Sequence, residues 1–101
     1  MLLFDCTGFD WDAANSLKNE EKHGVSPAEC EEIFFNVPFV VADDVRHSAE
    51  EKRWFALGMT DAGRRLFVVF TVRRKSIRII SARDMSRRER KEYEAYEEEN
   101  T

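Results

Sequence analysis

The stretch Ile77-Arg78-Ile79-Ile80-Ser81-Ala82-Arg83-Asp84-Met85-Ser86-Arg87-Arg88-Glu89-Arg90-Lys91-Glu92-Tyr93 changes character at its midpoint. Its first half is rich in β-branched isoleucine and reads as a strand. Its second half reads as a helix, with Ser86 as N-cap and Glu89 at capping-box spacing. Two arginines stand among the isoleucines. A buried unpaired charge is too costly, so Arg78 and Arg83 must reach solvent, a carboxylate or an anionic ligand. Arg83 falls where strand gives way to helix, and helix N-termini and guanidinium groups both favour phosphate. The competing reading gives Arg83 a nearby carboxylate and a purely architectural task at the corner. Strict alternation places Arg78 and Arg83 on opposite sheet faces. One site takes both only if a bulge intervenes or Arg83 has already left the strand.

Upstream of this stretch, Leu66 to Val72 is the most apolar segment, apolar on both faces, and reads as a central strand. Thr60-Asp61-Ala62-Gly63 is a hairpin turn with glycine at the left-handed position. Lys52 to Met59 reads as its partner strand, with Trp54 and Ala56 on one face and Phe55 and Leu57 on the other. Phe39 to Ala42 is a short strand, and residues 43 to 51 are a polar loop holding His47. Two helices come first. One is capped by Asp12, carries Ala14, Leu17 and Glu21 at helical spacing, places Trp11 on the core, and ends at Lys22-His23-Gly24. The next opens with Ser26, Pro27 and Glu29, buries Cys30, Ile33 and Phe34, and stops at Asn36 and Pro38. The closing helix runs from Arg87 to about Glu98, with Glu89, Tyr93 and Tyr96 on one face.

The expected fold is α+β: an antiparallel meander sheet of about four to five strands, two N-terminal helices and one C-terminal helix. Residues 1–101 form one domain, with 1–8 a short strand or extension and 97–101 a frayed acidic tail. Tyr93 and Tyr96 are the closing helix's only large apolar groups, so that helix is expected to be dispensable for folding and important for function.

Cys6 and Cys30 lack zinc spacing and are too few for a disulfide framework, which points to a reducing cytoplasm. The longest uninterrupted apolar run, Leu66 to Phe70, is far short of a membrane span, and the first residues lack the basic region of a signal peptide. Net charge is −4, but unevenly spread. Residues 1–44 carry −8, residues 45–91 carry +9 and residues 92–101 carry −5. A basic centre between acidic flanks gives either an anion-binding face or mutual neutralisation across the fold.

Several of these stretches, in this order, resemble the BrnT family of ribonuclease toxins from type II toxin–antitoxin pairs. Phe9-Asp10-Trp11-Asp12 is similar to the family's F-[DE]-W-D, and Asn19 with Lys22-His23-Gly24-Val25-Ser26 to its N-x-x-K-H-G-V-[ST]. Glu31 to Asn36 fits its second helix, and His47-Ser48 with Arg53 its H-S and following E-x-R region. Leu57-Gly58 and Gly63 to Thr71 fit the hairpin; Ile77 to Met85 fits I-R-[IV]-I-S-A-R; Glu89, Arg90 and Tyr93 fit the closing helix. Asn15 stands where many members carry lysine. The resemblance implies a RelE-like ribonuclease fold and RNA cleavage without metal or cofactor. It also implies a cognate BrnA-like, DNA-binding antitoxin, joined to the toxin in a hetero-oligomer.

Such cleavage needs a base or orienting group for the 2′-hydroxyl, cations for the transition state and an acid for the leaving oxygen. Arg83 and Arg78, then Arg53, suit the cationic task because guanidinium groups bind phosphate oxygens bidentately. The acid–base candidates are His23, His47, Glu89, Tyr93 and Lys22. Lys22, Arg53, Arg64, Arg87 and Arg88 are the expected RNA contacts. Each has a plainer reading: His23 as a helix C-terminal cap, His47 as an ordinary exposed histidine, Glu89 as capping-box partner, Tyr93 as a packed ring. No two-metal cluster, Gly-rich phosphate loop or nucleophile elbow is present. The alternative to a toxin enzyme is a non-catalytic module that holds nucleic acid or an acidic partner through its basic segment.

Overall fold

The computed structural model describes residues 5–47 and 51–99. The elements run β1 (Gly8–Asp10), α1 (Ala13–His23), α2 (Pro27–Glu32), β2 (Val40–Asp43), β3 (Trp54–Met59), β4 (Arg65–Arg73), β5 (Ser76–Asp84) and α3 (Arg87–Glu99), with a 3-10 turn at Val45–His47. Five strands form one sheet in the order β1-β5-β4-β3-β2, so β4 is central, as its apolar sequence requires. β2 to β5 are the expected antiparallel meander. β1 joins the outer edge of β5 in parallel, Phe9 opposite Ile77. The expected extension at residues 1–8 therefore contributes only Gly8 to this strand, and residues 1–4 lie outside the described part.

The helix signals are met at the atoms that define them. The Asp12 side chain accepts from the Asn15 N–H, and Gly24 closes α1 in the left-handed conformation at φ +65°. Ser26 and Glu29 form a reciprocal capping box around Pro27. Ser86 and Glu89 form a second one at the start of α3.

One sheet face meets α2. Val25, Cys30 and Ile33 pack there on Ala56, Leu66, Val68, Phe70, Ile77, Ile79 and Ala82. A Cβ at Gly58 would lie 2.7 Å from the Ile33 Cβ, so only glycine lets α2 approach β3 this closely. α1 behaves otherwise. Leu17, the one large aliphatic residue of α1, is 57% exposed, and α1 buries no residue fully. Its half-buried residues include Asn15, Asn19 and His23, spaced i, i+4, i+8 along one face. Asn15 Nδ2 donates to the Ile79 and Ile80 carbonyls at 3.3 and 3.0 Å, and Asn19 Oδ1 accepts from the Ala82 N–H at 2.9 Å. Four helical residues rise about 6 Å, close to two strand residues, so this polar stripe tracks the free edge of β5.

The opposite face carries α3 at one end. Tyr93 is fully buried, packs in one cluster with Leu57 and Met85, and donates its hydroxyl to the Pro38 carbonyl at 2.6 Å. Arg65 of β4 grips Glu97 bidentately at 2.9 and 3.0 Å. One premise is thereby corrected: α3 is not thinly anchored but caps a second hydrophobic cluster, and its helix extends to Glu99. The reason is that one large aromatic side chain in a closed pocket contributes as much as several partly buried ones.

Candidate active site

The pairing of β4 with β5 changes phase once. Val69 lies opposite Ser81, whereas Phe70 lies opposite Ile79, leaving Ile80 as the extra residue of a bulge. Before the bulge Thr71 faces Arg78, and beyond it Phe67 faces Arg83. Thr71, Val69 and Phe67 alternate onto one face of β4, so Arg78, Ser81 and Arg83 share the face opposite α2. The conflict between strict alternation and a single site for both arginines is resolved by the bulge. The burial agrees: Ile77, Ile79 and Ala82 are all buried, and no unbroken period of two puts all three on one side.

A bulge leaves backbone groups without ladder partners, and here the Asn15 amide takes two of them, the Ile79 and Ile80 carbonyls. Asn15 stands where the family resemblance expects lysine, and its observed contacts are with this backbone.

The open face beyond α3 holds two adjoining shallow clefts. One, of about 430 Å³, is lined by Asp44, Arg46, Arg53, Phe55, Phe67, Val69, Ile80 and Ser81. The other, of about 210 Å³, includes Arg53, Thr71, Arg73, Arg78 and Glu51. Arg83 stacks its guanidinium 4.1 Å from the Phe67 ring centroid and pairs with both Glu89 oxygens at 2.8 and 3.0 Å. Burial pushes Glu89 up, but Arg83 and the Ser86 N–H together hold its carboxyl below the usual range. Arg73 likewise holds Glu51 low through a bidentate pair at 2.6 and 2.9 Å. Arg78 reaches Asp10 at 3.3 Å and Asp12 at 3.4 Å. The 3-10 turn ending at His47 stands at the rim, since Asp44 and Arg46 line the first cleft. Arg53, Arg78 and Arg83, with Glu89 beside Arg83, are thus brought to one surface.

The other expected site residues lie elsewhere. Tyr93 is sealed in the second cluster, and burial pushes its hydroxyl up to about 12, so it neither touches the open face nor titrates near neutrality. Arg64, expected to contact RNA, is a bolt between elements. It donates to Asp84 at 2.7 and 3.1 Å, to Glu29 at 3.1 Å, and to the Gly24 carbonyl at 2.8 Å. His23 ends the inward stripe of α1, toward Asp84, whose carboxyl is held below its usual range chiefly by Arg64. Lys22 is exposed on the same helix. Arg88 is almost fully exposed, 3.6 Å from Glu92, and Arg87 lines a groove on α3 with Arg65, Arg90, Lys91 and Glu94. Sequence reading passed over Arg46, Arg73 and the aromatic floor, and gave Asn15 no role. The alternation of Phe55 and Phe67 with buried residues was the available signal for that floor. Among the described residues, no three His, Cys, Asp or Glu side chains converge as a metal-binding group, and no helix is long and apolar enough to cross a membrane.

A sheet face lined by guanidinium groups around half-buried aromatic rings marks this α+β protein, and such a face has the chemistry that suits a polyanion. Residues 11–89 match the family model described as ribonuclease toxin, BrnT, of type II toxin–antitoxin system. The chain belongs to that family, which makes it a ribonuclease toxin with RNA as substrate and an antitoxin as partner. Its fold is similar to the 1.1 Å crystal structure of the Brucella abortus ribonuclease toxin BrnT, with a TM-score of 0.62 and 23% identity over 80% of this chain and 99% of that one. A search of curated proteins finds no match.

Proposed function

We propose that the open sheet face is where this ribonuclease cuts RNA, without metal, and that the single domain spanning the chain acts in the cytoplasm to halt translation and growth. The β5 bulge carries this reading, because it aligns Arg78 and Arg83 on one surface beside Arg53. Arg83 and Arg78 hold the phosphate oxygens as charge builds on them, with Arg53 beside them. Glu51 and Glu89 are ionised at neutral pH and act first as anchors that preorganise Arg73 and Arg83. His47, in the 3-10 turn, is the candidate for proton transfer, a task that an imidazole can perform. A BrnA-like, DNA-binding antitoxin neutralises the toxin in a hetero-oligomer by covering the same cationic surface.

Purified toxin freed of antitoxin is expected to cleave RNA in EDTA. Arg83→Ala is expected to lower kcat/KM by about 2.7–4 kcal/mol of barrier, the cost of one preorganised donor. Arg78→Ala is expected to lower it too, and His47→Gln to lower kcat more than it raises KM. Full activity in folded Arg83→Ala and Arg78→Ala proteins would move the site off this face.

A further inference from the structure

Arginines explain how a phosphate chain is held, but not what meets its bases. The floor between them is apolar. Phe55 and Phe67 lie 5.5 Å apart with their planes 26° from parallel, and Val69 and Ile80 continue the floor beside them. Arg83 already covers Phe67, and Phe67 also packs against the Tyr93 cluster. Phe55 differs: it is half-buried and belongs to neither hydrophobic cluster. A large ring that completes no core, in a cleft that Arg46 and Arg53 also line, offers a flat apolar face where phosphates would be drawn in.

We infer that Phe55, with Val69 and Ile80, is a stacking subsite for one nucleobase of the RNA, next to the phosphate held by Arg78 and Arg83. The inference rests on the reading of this face as the cleavage site. Every base has an aromatic face, so stacking holds a nucleotide without demanding its identity, while cationic groups at the rim follow the backbone. A base fixed there splays its nucleotide from its neighbour and leaves the linking phosphate exposed to Arg83. The chemistry selects single-stranded RNA, because a paired base has its faces occupied by its neighbours in the stack.

The test uses full-length toxin with Phe55→Leu, which keeps apolar bulk, and Phe55→Trp, which keeps an aromatic face. The probe is a fluorescent single-stranded oligoribonucleotide, made uncleavable by 2′-O-methyl groups and carrying an abasic residue at each position in turn. Phe55→Leu is expected to weaken binding of the intact probe about tenfold, with Phe55→Trp close to wild type. One abasic position is expected to cost wild type the same factor and to cost Phe55→Leu nothing further. In cleavage, Phe55→Leu is expected to raise KM more than it lowers kcat.

Equal affinities of wild type and Phe55→Leu, or an abasic series without a sensitive position, would overturn the subsite. The abasic series on wild type alone decides the matter if Phe55→Leu does not fold. Loss of antitoxin binding with RNA binding intact would assign the floor to the antitoxin and also overturn it. Failure of the underlying reading looks different: Arg78→Ala and Arg83→Ala would cleave normally while the base-specific loss at Phe55 persisted.

Discussion

Arg83 shows how one residue satisfies two readings at once. It has the carboxylate that an architectural role requires, Glu89, and it stands on the face where the other candidate arginines gather. A paired arginine is not thereby withdrawn from chemistry, since Glu89 fixes its orientation and leaves further N–H donors on the same planar group. Tyr93 is the opposite case. With the ring fully buried and its hydroxyl on the Pro38 carbonyl, it acts on the fold. Tyr93→Phe leaves that carbonyl unpaired and is expected to cost about 1–3 kcal/mol of stability. A chain of this size then melts roughly 4–8 °C lower per kcal/mol. At a temperature where both proteins are folded, their cleavage rates should be equal. A rate loss of tenfold or more with an unchanged melting temperature would return Tyr93 to the catalytic group.

Among the elements, α1 and α3 exchange the weights that their sequences suggested. α1 has an amphipathic spacing yet docks by amides, because the surface it meets is the edge of a bulged strand with unpaired backbone groups. Asn15→Leu keeps the shape and removes the donors. It is expected to lower kcat/KM by loosening the alignment of Arg78, whereas Asn15→Gln, which keeps an amide, restores most of it. In an Arg78→Ala background Asn15→Leu should add little further loss. Additive losses would show that Asn15 acts on the fold at large. α3 has few apolar residues, yet Tyr93 and the Arg65–Glu97 pair make it the lid of the second cluster. Loss of one such buried ring costs about 3–5 kcal/mol, a large share of a small domain's total stability. A chain truncated after Met85 is therefore expected to aggregate or melt without cooperativity. A cooperative melt from soluble truncated protein would restore the view of α3 as an appendage.

Across the whole molecule, acidic flanks and basic centre meet in named pairs: Asp10 and Asp12 with Arg78, Glu29 with Arg64, Asp43 with Lys52, and Glu97 with Arg65. The +9 of residues 45–91 is thus partly spent inside the fold. Four neutralised phosphates on a single strand would give a log–log salt slope of about −2.8, and this internal pairing should reduce it to about −1.4, the value for two. Titration of the uncleavable probe across a salt series measures it. A slope at the steeper value would mean that RNA displaces the internal carboxylates. The sequence by itself determined the meander, the central strand, both capping boxes and the caps of α1, because each depends on neighbours within a few residues. It also contained the arginine candidates, but not their sorting. Whether Arg78 joins Arg83, whether Arg64 faces ligand or carboxylate, and whether Tyr93 meets solvent or core were decided only by the tertiary structure. Those outcomes turn on strand register and on contacts between residues far apart in the chain. The one-residue bulge at Ile80 reverses the facing of everything beyond it, and no local propensity specifies it.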